Sequence, residues 1–132
     1  MEEKNKRRLG ALYETKALSY LQDKGYRLLA SNFRNKIGEI DLIVEKGERR
    51  YEPLIGAYTY TDDYVLVFVE VKYRSSNKYG YAVEAVDYKK QARIRKVASY
   101  FLTVNAYDLN TPCRFDCIGF DGEEITHLED AY

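Results

Sequence analysis

The sequence predicts an α/β domain in the order helix, three strands, helix, two strands, and three observations carry that reading. Apolar residues recur at helical spacing twice: Leu9, Tyr13, Ala17 and Leu21 near the start, and Ile94, Val97, Ala98, Phe101 and Leu102 further on. Between and after these stripes stand apolar runs of strand length, chief among them residues 37–44 and 65–72. Glycine, proline, asparagine and aspartate punctuate the joints. A chain of 132 residues is long enough for a real core but not for two, so residues 1–132 are expected to form one domain.

The first helix is predicted over residues 6–24, with Leu12 and Tyr20 flanking its stripe and Gly25 stopping it. Residues 26–33 read as a short strand that ends in a polar turn at 32–36. The strand at 37–44 follows. Gly38 near its start allows a bulge or a close backbone approach, which suits a bent strand entering an active site. Residues 45–64 carry Lys46, Glu48, Arg49 and Arg50, then Pro53, then Tyr58, Tyr60 and Tyr64, and read as an inserted hairpin or lobe between two central strands. A partner surface, a clamp over substrate and a merely exposed loop all suit that segment. The strongly apolar strand at 65–72 leads into a polar loop at 74–81 with Gly80, and residues 82–86 extend it toward the second helix. Asp87 is placed to cap that helix, which runs to about Val104, with Lys90, Arg93 and Lys96 largely off its apolar stripe. Residues 114–120 and 124–128 form the last two strands, with Asp121-Gly122 between them as the turn.

Composition narrows the class. Hydrophobic residues at 45% and charged residues at 32% describe an ordinary globular chain, not a disordered one. The 14 tyrosines and absence of tryptophan point to no single role, since tyrosine fills core edges, lines interfaces and stacks on bases alike. No run approaches the roughly 20 apolar residues of a membrane span, and the first residues lack the apolar stretch of a signal peptide, so a cytoplasmic protein without membrane contact is expected. Cys113 and Cys117 lie too far apart along one strand to form a disulfide and lack the partners of a zinc site, which leaves them as small buried hydrophobes.

Net charge is zero, yet the charges are segregated. Lys72, Arg74, Lys78, Lys89, Lys90, Arg93, Arg95 and Lys96 face only Glu84 and Asp87 over residues 72–96, while the chain from Asp116 onward holds acids and no Lys or Arg. Such a field can draw a polyanion to one side, and Arg74, Lys89, Lys90, Arg93 and Lys96 are its candidate ligands; a solvated helix face gives the same pattern.

The sharpest chemistry is in Gly38-Glu39-Ile40-Asp41-Leu42-Ile43-Val44 and Val67-Phe68-Val69-Glu70-Val71-Lys72, which set three acids and a lysine into apolar strands. Buried carboxylates are costly unless paired or bound to a cation. Strand alternation sends Glu70 and Lys72 to one face and Val69 and Val71 to the other. If the two strands are neighbours, Asp41 joins Glu70 around a divalent metal, the Val71 carbonyl offers a further oxygen, and Lys72 reaches a phosphate or an attacking water. A structural Glu-Lys pair with a capping Asp41 is the alternative.

These residues resemble those of the bacterial YraN-like or UPF0102 proteins, which look like Holliday-junction resolvases of the restriction-endonuclease-like superfamily. The likeness runs nearly end to end: Gly10, Glu14 and Ala17 in the first helix, Gly25-Tyr26, Asn32-Phe33-Arg34, the two motif strands through Tyr73-Arg74, Lys89-Lys90 and Arg114-Phe115-Asp116. It implies a central mixed β-sheet flanked by α-helices, with Asp41, Glu70 and Lys72 matching the superfamily's acid and Glu-x-Lys motif. It maps the acid of the first helix onto Glu14, as a metal ligand or the holder of a metal-bound water, with Glu39 in support. The implied activity is Mg²⁺-dependent, or Mn²⁺-dependent, hydrolysis of DNA phosphodiesters, branched DNA included, by a homodimer that offers two cutting centres. Residues 45–64 depart from the family pattern, in which a short turn links the motif strands. A non-catalytic nucleic-acid-binding protein and a structural interaction protein are the competing classes.

Overall fold

The computed structural model describes residues 2–74, 87–108 and 110–132. The loop expected at 74–81 lies outside them beyond Arg74, as does its extension at 82–86; Lys78 and Glu84 fall there too. The described residues form α1 (Glu2–Asp23), β1 (Arg27–Arg34), β2 (Glu39–Lys46), β3 (Arg49–Glu52), β4 (Ala57–Tyr60), β5 (Val65–Arg74), α2 (Tyr88–Val104), β6 (Cys113–Asp121) and β7 (Glu124–Leu128).

Strands β1-β2-β5-β6-β7 make one sheet in that order, with β5 and β6 parallel and every other neighbouring pair antiparallel. A mixed central sheet between two helices is the restriction-endonuclease-like arrangement expected from the sequence. The connection through α2 is what a parallel β5–β6 pair requires, since parallel neighbours need a crossover.

Alternation along the strands builds a core on each face. Val67 and Val69 of β5 join Leu42, Val44, Ile118 and Phe120 beneath Ala17 and Leu21 of α1. Leu66 and Phe68 join Ile40 and Ile43 beneath Ile94, Val97, Ala98 and Phe101 of α2. Each fully buried aliphatic or aromatic side chain contributes about 1.5–3 kcal/mol. Only the second half of α1 is covered: Tyr13 stacks on Tyr73 with ring centres 4.6 Å apart, whereas Leu9 and Leu12 stay exposed.

Local chemistry ends the elements where the sequence marks them. Gly25, at φ +94°, closes α1: its N–H binds the Gln22 carbonyl and the Tyr26 N–H the Leu21 carbonyl, a Schellman stop. Asp87 caps α2, its Oδ1 accepting the Lys90 N–H at 2.8 Å. The polar turn falls later than expected, at residues 35–38, where the Asn35 side chain accepts the Ile37 N–H at 2.8 Å. Cys117 is buried and free, but Cys113, at the start of β6, is exposed.

Residues 45–64 contain their own two-stranded sheet, β3 paired with β4. It enters through Gly47 at φ +84°, where an added Cβ would stand 2.7 Å from the Tyr64 Cα, so only glycine fits. Arg49 ties this hairpin to the body. Its guanidinium lies 3.5 Å from the centre of the Tyr58 ring and 3.8 Å from that of Tyr107, and its Nη2 donates to the Ala106 carbonyl at 2.7 Å. Several of the chain's tyrosines are thus spent on this joint, Tyr60 packing on Tyr64 at 4.7 Å beside it. The tip, with Leu54 98% exposed, projects into solvent.

On the α1 side Asp116 is fully buried and saturated. It accepts from Arg114 Nε at 2.8 Å and Nη2 at 2.9 Å, from the Asp130 N–H at 3.0 Å, and lies 2.7 Å from His127 Nε2. Burial works against its charge, but these partners outweigh it and hold its carboxyl below the usual carboxylate range. Arg114 in turn donates to the Tyr26 hydroxyl at 2.6 Å, locking the start of β1 to β6.

Candidate active site

The candidate site forms where β2 and β5 part. Their ladder runs from Lys46↔Val65 to Leu42↔Val69, and the next residues are Asp41 on one strand and Glu70 on the other. A turnover of the backbone explains the parting. Leu42 and Val44 face α1, so strict alternation would send Ile40 the same way; instead Ile40 packs under α2 with Ile43. Across the sheet β1 does likewise: Ala30 and Phe33 both pack on the α2 side, with Asn32 between them at φ +51°. Asn32 and Asp41 lie between the pairs Ser31↔Leu42 and Phe33↔Ile40. The bend expected near Gly38 is therefore at Asp41, and Gly38 has room for a side-chain carbon, which would stand in ordinary contact 3.6 Å from Arg93 and Val97 of α2.

At the parting the Asp41 side chain substitutes for a strand partner. Its Oδ2 accepts the Val71 N–H at 2.8 Å. Glu70 is 4% exposed and faces α2, as alternation dictates. Its Oε1 meets two ammonium groups, Lys72 Nζ at 3.4 Å and Lys90 Nζ at 2.5 Å.

The electrostatics follow from this crowding. Burial first, and then the charge of Glu70 and a hydrogen bond with it, push the Asp41 carboxyl up to about 8, against the pull of the Val71 N–H. The Asp41 carboxyl therefore keeps its proton at neutral pH. Burial and the neighbouring Lys90 lower the Lys72 ammonium despite Glu70. For Lys90, burial also opposes the charge, but the hydrogen bonds and field of Glu70 more than compensate and raise it.

Glu14 stands on α1, at a cleft of about 210 Å³ lined also by Ala11, Leu18, Ser31 and Asn32. Its carboxyl is raised by burial first and by the charges of Glu39 and Glu70, against a hydrogen bond from Asn32. It shares the field of the acid pair without joining it: among the described residues no three acidic, histidine or cysteine side chains stand in metal-holding geometry.

The structure thus brings together Asp41, Glu70, Val71 and Lys72, with Glu14 at the margin, and adds Lys90. Sequence reasoning set Lys90 among the outward basic residues, yet it turns inward. The signal was available, because Lys90 precedes Ile94 by four and so continues the buried face of Ile94, Val97, Ala98 and Phe101. Lys89, Arg93 and Lys96 are exposed at a spacing of four and three along one flank of α2, beside the buried stripe. Arg74 ends β5, half-buried, its carbonyl accepting the Gly122 N–H at 2.8 Å.

Asp41 and Glu70 suit a hard divalent cation. They are adjacent oxygen donors, burial and then the charge of Glu70 already hold a proton on Asp41, and Glu70 has gathered two cations on one oxygen. Among the described residues no helix is long and apolar enough to cross a membrane.

Residues 13–120 match the profile of the uncharacterised protein family UPF0102. A UPF0102 protein of Lachnoclostridium phytofermentans is 40% identical over 128 residues, covering 97% of this chain and 95% of its own. One from Shewanella loihica is 35% identical over 93% of this chain and 92% of its own. One from Janthinobacterium is 40% identical over 92% and 85% respectively.

Proposed function

The chain belongs to the uncharacterised protein family UPF0102, and from that premise we propose that it is a metal-dependent endonuclease hydrolysing phosphodiester bonds in DNA, branched DNA included. The observation that carries the reading is the meeting of Asp41, Glu70 and Lys72 where β2 and β5 part. Asp41 and Glu70 would hold Mg²⁺ or Mn²⁺, with the Val71 carbonyl between Glu70 and Lys72 as a third oxygen and Glu14 orienting a water at the margin. When bound, the ion supplies charge neutralisation at the phosphate and a more acidic water. Lys72, two residues beyond Glu70 on the same strand face, binds the scissile phosphate or orients the attacking water. Lys89, Arg93 and Lys96 hold the backbone further along α2, with Arg74 at the strand end.

The test is nicking of four-way, bubble and linear duplex DNA with each divalent ion, by the native chain and by Glu70→Ala and Asp41→Ala. Loss of cleavage in folded variants is expected, and unchanged cleavage rejects the assignment. A second reading, a non-catalytic nucleic-acid-binding domain, draws on the neutralisation of Glu70 by Lys72 and Lys90; it is preferred if the native chain binds DNA and cuts none of these substrates.

A paired cut needs two centres and this chain offers one, so the reading includes a homodimer. Sedimentation equilibrium with and without a four-way junction tests it, and a monomer in both conditions leaves single-strand nicking.

A further inference from the structure

Lys90, not Lys72, makes the closer approach to Glu70, at 2.5 Å against 3.4 Å. The two cations are held differently. Lys72 is fixed two residues along the same strand, whereas Lys90 projects from the first turn of α2 with its side chain 32% exposed. We propose that Lys90 is an exchangeable counter-ion, which occupies the cation's place on Glu70 and is displaced when a divalent ion binds Asp41 and Glu70.

The inference rests on the reading of those two acids as a metal site and deepens it. A carboxylate as buried as Glu70 does not persist without a cation beside it. Lys72 at 3.4 Å is a looser partner than Lys90 at 2.5 Å, so Lys90 carries that duty in the metal-free protein. A long, partly exposed side chain near a helix end can leave Glu70 for solvent without disturbing α2, whose grip on the sheet lies further along at Ile94, Val97, Ala98 and Phe101. Breaking the Lys90–Glu70 ion pair then subtracts from the binding of the divalent ion. The resting protein takes up metal more weakly than its two carboxylates alone would.

The experiment is calorimetric titration of Mn²⁺ into the full chain without DNA, for the native protein, Lys90→Met, Lys90→Arg and the exposed control Lys89→Met. Lys90→Met keeps the apolar stem and removes the competitor, and should bind Mn²⁺ about tenfold more tightly. Lys90→Arg should bind no more tightly than the native chain, and Lys89→Met should match it. Thermal unfolding gives a second readout: Mn²⁺ should raise the midpoint of Lys90→Met more than that of the native chain, or restore its fold if it is unfolded without metal. Equal or weaker Mn²⁺ binding by Lys90→Met, or failure of Mn²⁺ to stabilise it, overturns the exchange while leaving the metal site intact. Absence of Mn²⁺ binding by every variant overturns the metal reading itself.

Discussion

The Asp41 side chain acts as a strand neighbour for Val71: its Oδ2 accepts the Val71 N–H at 2.8 Å one step past Leu42↔Val69, the last pair of the β2–β5 ladder. Asp41→Asn keeps an acceptor and needs no proton to sit beside Glu70, so it should be at least as stable as the native chain at neutral pH. Asp41→Ala escapes the same cost but lacks the acceptor, and should be about 1–2 kcal/mol less stable than Asp41→Asn. Urea unfolding of both variants is the measurement, and equal stability of the two would show that the bond to Val71 contributes nothing.

The same residue sets a pH dependence. The folded chain holds Asp41 near 8 where an unfolded carboxyl sits at 3.8, so between those values the folded state binds more protons. Stability of the metal-free protein should therefore fall as pH rises through that window. Asp116 runs the other way: its stabilisation is present above the usual carboxylate value and is lost only as pH drops below it. Urea midpoints should be higher near pH 5 than near pH 8, with Asp41→Asn flattening the difference. A native midpoint that climbs over this range contradicts the assignment.

Asp116 should be the costliest surface-remote acid to remove. Asp116→Ala strands a half-buried Arg114 and a His127 whose side chain is 3% exposed, and is expected to destabilise by about 3–5 kcal/mol. His127→Gln, which spares the Arg114 pair, should cost less, about 1–2 kcal/mol. Comparable losses in the two variants would place the strength of the network at His127.

Catalysis and binding should separate across α2 and β5. Joint replacement of Lys89, Arg93 and Lys96 by glutamine should flatten the salt dependence of DNA affinity, by about 0.7–0.9 in log–log slope for each phosphate no longer neutralised. Lys72→Ala should lower cleavage far more than affinity. Filter binding over a salt series, beside nicking assays, decides the matter; an unchanged slope would turn that face of α2 toward solvent or another protein.

Much of this architecture was legible in the residues. Helical spacing located α2, Asp87 and Gly25 marked ends that the structure realises with an N-cap and a Schellman stop, and period two placed Glu70 and Lys72 on one face. Those features depend on neighbours within a turn or two of chain, which sequence reports directly. The hairpin's attachment was not legible, because the stacking of Arg49 on Tyr107 joins residues far apart in the chain with no periodic signal.

The site divides along the same line. By itself the sequence determined that acids at 41 and 70 and a lysine at 72 enter apolar strands, hence that each buried acid needs a partner or a cation. Only the tertiary structure decided which one. Pairing β2 with β5 buried Asp41 and set it against Glu70, which together lifted its carboxyl, the turnover at Asn32 and Asp41 opened the ladder, and the docking of α2 delivered Lys90 onto Glu70. Charge compensation in a buried site is settled by distance through space, and a lysine on another element stands closer to Glu70 than the lysine two residues along its own strand.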